Sequence, residues 1–199
     1  MKNKSRTLEL TLLGIFSALI IILVFTPIGM ISFGVVSATT VHIPVIIGAV
    51  VLGIKYGAVL GLVMGVASLI RAAAMPVSVL DPLFVNPVVS VLPRILIGVV
   101  AALVFMLVMK ICKNNEKFTP LASGIAAFMG TVTNTVFVLG LLAAIYGEKI
   151  ATTTFGNSIK LIFGTIIGTN GLIEIASAII LTIPISTALF KVKKSMKRI

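Results

Sequence analysis

Few residues of this chain have types that could do chemistry, and they sit in apolar surroundings. Arg94 closes an irregular, proline-rich stretch at 84–94 that reads Phe-Val-Asn-Pro-Val-Val-Ser-Val-Leu-Pro-Arg. An arginine roughly two turns inside an apolar span is costly unless something is paired with it. A guanidinium takes a carboxylate in a bidentate, charge-assisted pair, so Arg94, with Asn86 beside it, reads as the floor of a binding site for a small acid. Further along, Thr131 and Asn134 lie in Gly-Thr-Val-Thr-Asn-Thr, and Asn170 and Glu174 are four residues apart and share a helical face. His42, followed by Ile43 and Pro44, would contact a ligand from the first loop.

Each of these residues also has a plainer reading. Asn134 and the threonines could only hydrogen-bond between helices. Glu174 either serves the site or is a buried partner of Arg94. A lone histidine is more often structural than functional. The chemistry that is missing narrows the choice. No Gly-x-x-x-x-Gly-Lys-Ser/Thr loop is present, so the chain does not hydrolyse ATP by itself. There is no carboxylate pair and no nucleophile with its base, and His42 is the only histidine. Cys112 is the only cysteine, which rules out a disulfide framework or a zinc cluster. The reading is a binding protein rather than an enzyme, with no cofactor and no metal.

The elements that must hold these residues are membrane helices. With 59% hydrophobic and 11% charged residues over 199, and a mean hydropathy of +1.24, the chain has too little charge to cover a soluble surface. Apolar runs at about 8–25, 42–53, 56–72, 88–109, 120–146 and 157–190 predict six spans in one transmembrane domain, 1–199. The fold expected is therefore an all-α, polytopic integral membrane protein. The second run is too short to cross without help from its flanks, and the last two are long enough to tilt, break or protrude. A polar stretch at 32–40 reads as a loop.

Lysines and arginines fix the expected orientation. Lys2, Lys4, Arg6, Lys55, Lys110, Lys113, Lys117, Lys191, Lys193, Lys194, Lys197 and Arg198 fall on one side, and only Arg71, Arg94, Lys149 and Lys160 on the other. This bias predicts that both termini are cytoplasmic, and it accounts for the net charge of +11 without nucleic acid. Small residues form a separate signal. Gly14 and Ala18 in the first span, and Gly57, Gly61 and Gly65 in the third, make stripes that admit a close helix. The first stripe reads as an intermolecular surface and the second as internal packing.

The stretch at 86–94, the segment at 130–135, the Asn-Gly-Leu-Ile-Glu segment at 170–174 and the glycine-rich helices at 48–65 together resemble the substrate-specific S-components of energy-coupling factor (ECF) vitamin transporters. The resemblance covers essentially the whole chain. It implies six helices, a pocket near the outer face, and a multi-pass location in the bacterial cell membrane. It implies as partners a small-molecule vitamin, a transmembrane T-component, two cytoplasmic ATPase subunits and the surrounding lipid. The family's Ala-x-x-x-Ala docking motif would fall on Gly14 and Ala18, with glycine in the first place. The motifs look most similar to the pantothenate type. A physical argument points the same way: flat aromatic vitamins are gripped by stacking, yet the chain has no tryptophan and only Tyr56 and Tyr146. Arg94 would then hold a carboxylate, and Asn86, Asn134 and Asn170 would serve hydroxyl and amide groups. An S-component for a pterin, pyridoxine, riboflavin or a queuosine precursor, and a stand-alone secondary transporter or facilitator, remain the alternatives.

Overall fold

In the computed structural model of the chain, which describes residues 2–33, 36–76, 81–152 and 171–198, the first apolar run is helix α1, Lys2–Phe25. At about 36 Å long it can cross a hydrocarbon layer of about 30 Å. It stops where Pro27 supplies no backbone donor. Thr26 Oγ1 donates back to Ile22 O at 2.7 Å, and a 3-10 turn follows at Pro27–Gly29.

The stretch read as a loop forms a two-stranded antiparallel hairpin instead, β1 Met30–Phe33 and β2 Val36–Thr39, with Met30 opposite Thr39 and Phe33 opposite Val36. Its serines and threonines suggest a loop, but Ile31, Phe33, Val36 and Thr39 are good strand residues. Thr40 N donates to Gly29 O at 3.0 Å and closes the base. The rest of the described architecture is helical: α2, His42–Leu52; α3, Ile54–Ala74; α4, Pro87–Ser90; α5, Leu92–Ile111; α6, Thr119–Thr152; and α7, Gly171–Arg198. Among the described residues five helices are long and apolar enough to cross a membrane, and α2 is a shorter apolar sixth. The start expected for the last span, at about 157, lies outside the described residues.

Helix α2 occupies the centre of the bundle. It packs against α1, α3, α5, α6 and α7, and every residue from His42 to Val51 is buried. A helix apolar all round has no surface to offer water. It rises only about 16 Å, half the layer. At its end Gly53 takes φ 97°, a left-handed conformation that favours glycine, and α3 starts at the next residue.

Two prolines shape the part of the fold that carries Arg94. Pro87 opens α4, with Asn86 as its cap: Val88 N donates to Asn86 Oδ1 at 3.0 Å. Pro93 then lacks the N–H that would reach Val89 O four residues back. The span expected to run unbroken from 88 is therefore split at Val91, and the freed Val89 carbonyl accepts Arg94 Nη1 at 2.9 Å.

The glycine stripe on α3 faces α5. A Cβ on Gly57 would lie 2.8 Å from Gly98 O, one on Gly61 2.7 Å from Ile95 Cα, and one on Gly65 2.7 Å from Val91 Cα. The stripe is internal packing, and it sets how closely α3 approaches the backbone that carries Arg94. Helix α6, 34 residues long, exceeds the layer, as its length in the sequence suggested.

Polar contacts gather one end of the bundle. Lys193 Nζ lies 3.6 Å from Glu9 Oε1 and donates to Val51 O at 3.2 Å. Tyr56 Oη donates to Glu9 at 3.2 Å, and Lys194 pairs with Glu116 at 2.7 Å. The start of α1, the α2–α3 turn, the α5–α6 connector and the end of α7 therefore share one end, the grouping that the charge count predicts.

Candidate functional site

Arg94 sits in the first turn of α5, with its guanidinium carbon 5.3 Å above the Phe84 ring centre. This cation–π contact and the bond to Val89 O hold the planar group in place. Phe84 is fixed in turn by Ser90, whose buried hydroxyl donates to Phe84 O. Arg94 Nε is buried without a hydrogen-bond partner, and among the described residues no carboxylate pairs with Arg94. The result is a pre-positioned cation with unused donors.

Glu174 does not serve as its partner. Glu174 Oε1 accepts from both Thr39 N and Thr39 Oγ1, each at 2.8 Å. The carboxylate, 7% exposed on the first turn of α7, ties down the end of the hairpin. Replacing Glu174 with Ala is expected to loosen the hairpin, with amide exchange at Thr39 accelerating at least about tenfold, as two charge-assisted bonds are lost. Exchange measured by mass spectrometry on the detergent-purified protein checks this.

His42, fully buried at the start of α2, lies with Nε2 3.1 Å from Thr131 Oγ1. Thr131 Oγ1 also lies within hydrogen-bond distance of Ala127 O, at 2.9 Å, and the direction of its bond to the histidine is set by the ring's tautomer. His42 Nδ1 is buried without a hydrogen-bond partner. The Arg94 guanidinium is within electrostatic reach of the same ring. Asn134, three residues beyond Thr131 on the same face of α6, has its Oδ1 buried and unpartnered. Thr133 and Thr135 bond back to Met129 O and Thr131 O within their own helix, so the plainer reading of bonds between helices does not hold for these two.

Asn86 is largely occupied. Its oxygen caps α4, and its Nδ2 donates to Tyr146 Oη at 3.4 Å. Asn170 lies outside the described residues. The structure thus brings His42, Thr131 and Arg94 together, with Asn134 one turn away, while Asn86 and Glu174 hold neighbouring elements. Sequence reasoning did not assign Phe84, Thr39 or Tyr146. Phe84 had a signal in its place at the head of the stretch leading to Arg94, and Tyr146 in being one of two tyrosines; Thr39 had none. Gly14 and Ala18 are exposed on α1, and nothing approaches the Cβ position of Gly14 within 4 Å.

An arginine without a carboxylate partner among the described residues, a buried histidine within its electrostatic reach and a buried, unpartnered amide oxygen on α6, in a bundle of apolar helices, describe a membrane protein that binds a small polar molecule, and comparison with known proteins places it. The model of the ECF transporter substrate-specific component matches residues 8–186, and the chain belongs to that family. It is 35% identical to the pantothenic acid transporter PanT of Lactococcus lactis subsp. cremoris, across 97% of this chain and 99% of that protein. It is 31% identical to the pantothenate transporter PanT of Leuconostoc mesenteroides, across 94% of this chain and 93% of that protein.

Proposed function

We propose that the chain is the pantothenate-binding S-component of an ECF transporter in the bacterial plasma membrane, with both termini cytoplasmic. The observation that carries this reading is Arg94, held by Phe84 and Val89 and lacking a carboxylate partner among the described residues. A ligand carboxylate completes it. Pantothenate also brings two hydroxyls and an amide, which suit the unpartnered His42 Nδ1 and the unpartnered acceptor Asn134 Oδ1. Thr131 holds the His42 ring through its contact with Nε2. Asn86 shapes the turn that leads to Arg94, and the Glu174–Thr39 tie holds the hairpin beside the site. Asn170, by its place in the family motif, is a further candidate for the ligand. The near-full-length identity to two proteins named for pantothenate supports the substrate.

Membership of the family implies a T-component and ATPase subunits as partners, since the chain has no nucleotide loop. The exposed Gly14 and Ala18 are the surface proposed for the T-component. Gly14→Leu should abolish co-purification with it and leave vitamin binding unchanged. Uptake of labelled pantothenate by cells expressing the chain tests the whole reading. Uptake should require the T-component and a hydrolysing ATPase, whereas uptake by this chain alone would make it a facilitator.

A further inference from the structure

A second site lies at the other end of the bundle. A cavity of about 640 Å³ opens between the end of α5, the start of α6 and the end of α7. Its wall includes Phe105 and Phe190, stacked with ring centres 5.4 Å apart, and Met106, which is 45% exposed on the outer face of α5. The Phe105 position is eleven residues beyond Arg94, about 16 Å along the helix, so this cavity is separate from the Arg94 site. Three lysines, Lys191, Lys193 and Lys194, line it, against one carboxylate, Glu116.

The lysines are not equally committed. Lys193 is held by Glu9 and Val51 O. Lys194 pairs with Glu116 in an exposed bridge, with side chains 51% and 73% accessible, and such a bridge is weak and exchangeable. Lys191 is exposed and makes no ion pair among the described residues. An apolar wall reaching the exposed outer face of α5, topped by one lysine without an ion pair among the described residues and a second in an exposed, exchangeable bridge, matches an acyl chain with a phosphate above it. A soluble anion would have no use for the phenylalanine wall. Helix α1, with the exposed small residues, packs mainly on α2 and α3 and reaches α7 through the Glu9–Lys193 bridge.

We propose that this cavity seats an anionic phospholipid from the leaflet at the end of the bundle that holds both termini. Lys191 and Lys194 take its phosphate, and Phe105, Met106 and Phe190 take the upper acyl chain.

The test is native mass spectrometry of the full-length, delipidated protein titrated with phosphatidylglycerol, with phosphatidylcholine of the same chains, and with glycerol 3-phosphate. A lysine near a membrane surface contributes about fivefold in binding of an anionic lipid. The wild type should therefore retain phosphatidylglycerol over phosphatidylcholine by at least about fivefold. The preference should vanish in a Lys191→Ala, Lys194→Ala double variant and persist in Lys110→Ala, Lys113→Ala, whose lysines lie at the same end but outside the cavity. Lys191→Glu provides a second variant with the same expected loss. Equal preference in wild type and the Lys191 variants would overturn the proposal, as would equal loss in the Lys110, Lys113 variant. Displacement of the lipid by glycerol 3-phosphate alone would also overturn it, pointing to a soluble phosphate ligand.

Discussion

Arg94→Ala is expected to weaken pantothenate binding at least about 30-fold while the protein still inserts and elutes as a folded species. Truncating one partner of a desolvated, hydrogen-bonded charge pair costs about 2–5 kcal/mol, because the other charge is left without compensation. Here that other charge would be the vitamin's carboxylate. The fold should tolerate the change because the described arginine contacts are local: one bond to Val89 O and one stack on Phe84. Arg94→Lys should recover only part of the affinity, since an ammonium is a point charge that lacks the planar fork for bidentate pairing and the flat face that lies on the ring. Equilibrium binding of labelled pantothenate to detergent-purified variants measures both. Unchanged affinity in Arg94→Ala would remove the arginine from the site.

Gly61→Leu is expected to have an effect of similar size on the fold itself. A Cβ at this position would lie 2.7 Å from Ile95 Cα and equally near the Arg94 carbonyl carbon, and backbone cannot swing aside as a side chain can. Overpacking of a tight contact typically costs about 1–3 kcal/mol, and a full leucine against backbone belongs at or above the top of that range. The unfolding midpoint in detergent should fall sharply. Because the displaced backbone is that of Arg94, binding should fall in whatever protein remains folded. Gly14→Leu provides the contrast: with nothing within 4 Å of its Cβ position, stability should hold. Equal loss in both variants would mean that the α3 stripe has no special role.

The contrast between those two glycines shows what a sequence can and cannot say. Both belong to small-residue stripes, and spacing alone does not tell an inward stripe from an outward one. The ends of the first two apolar runs were legible, because proline and glycine stop helices for local reasons: Pro27 ends α1, and Gly53 separates α2 from α3. The shared end of the termini was legible from lysine placement, and Lys193 with Glu9 now bears out the grouping in space. The break at Val91 follows from the donor that Pro93 lacks, but only the structure shows that Arg94 takes the orphaned carbonyl. The hairpin was hidden by its serines and threonines.

The site was legible in residue types and not in partnerships. Arg94 and Glu174 invited each other across 80 positions because opposite charges in an apolar bundle usually pair. The carboxylate instead bonds Thr39, in a segment whose strand pairing was not foreseen. His42, isolated in the sequence, proves to be bonded to Thr131 on a helix 89 residues away. Such contacts depend on which way side chains point once helices pack, and periodicity does not carry that information.

The central claim, that this chain binds pantothenate, is tested most directly by thermal unfolding of the purified protein against a panel of water-soluble vitamins. A ligand at about 100 times its dissociation constant adds about 2.7 kcal/mol of stability. The account predicts a rise in midpoint with pantothenate, none with riboflavin, pyridoxine or a pterin, and loss of the rise in Arg94→Ala. A rise with one of the other vitamins and none with pantothenate would contradict it.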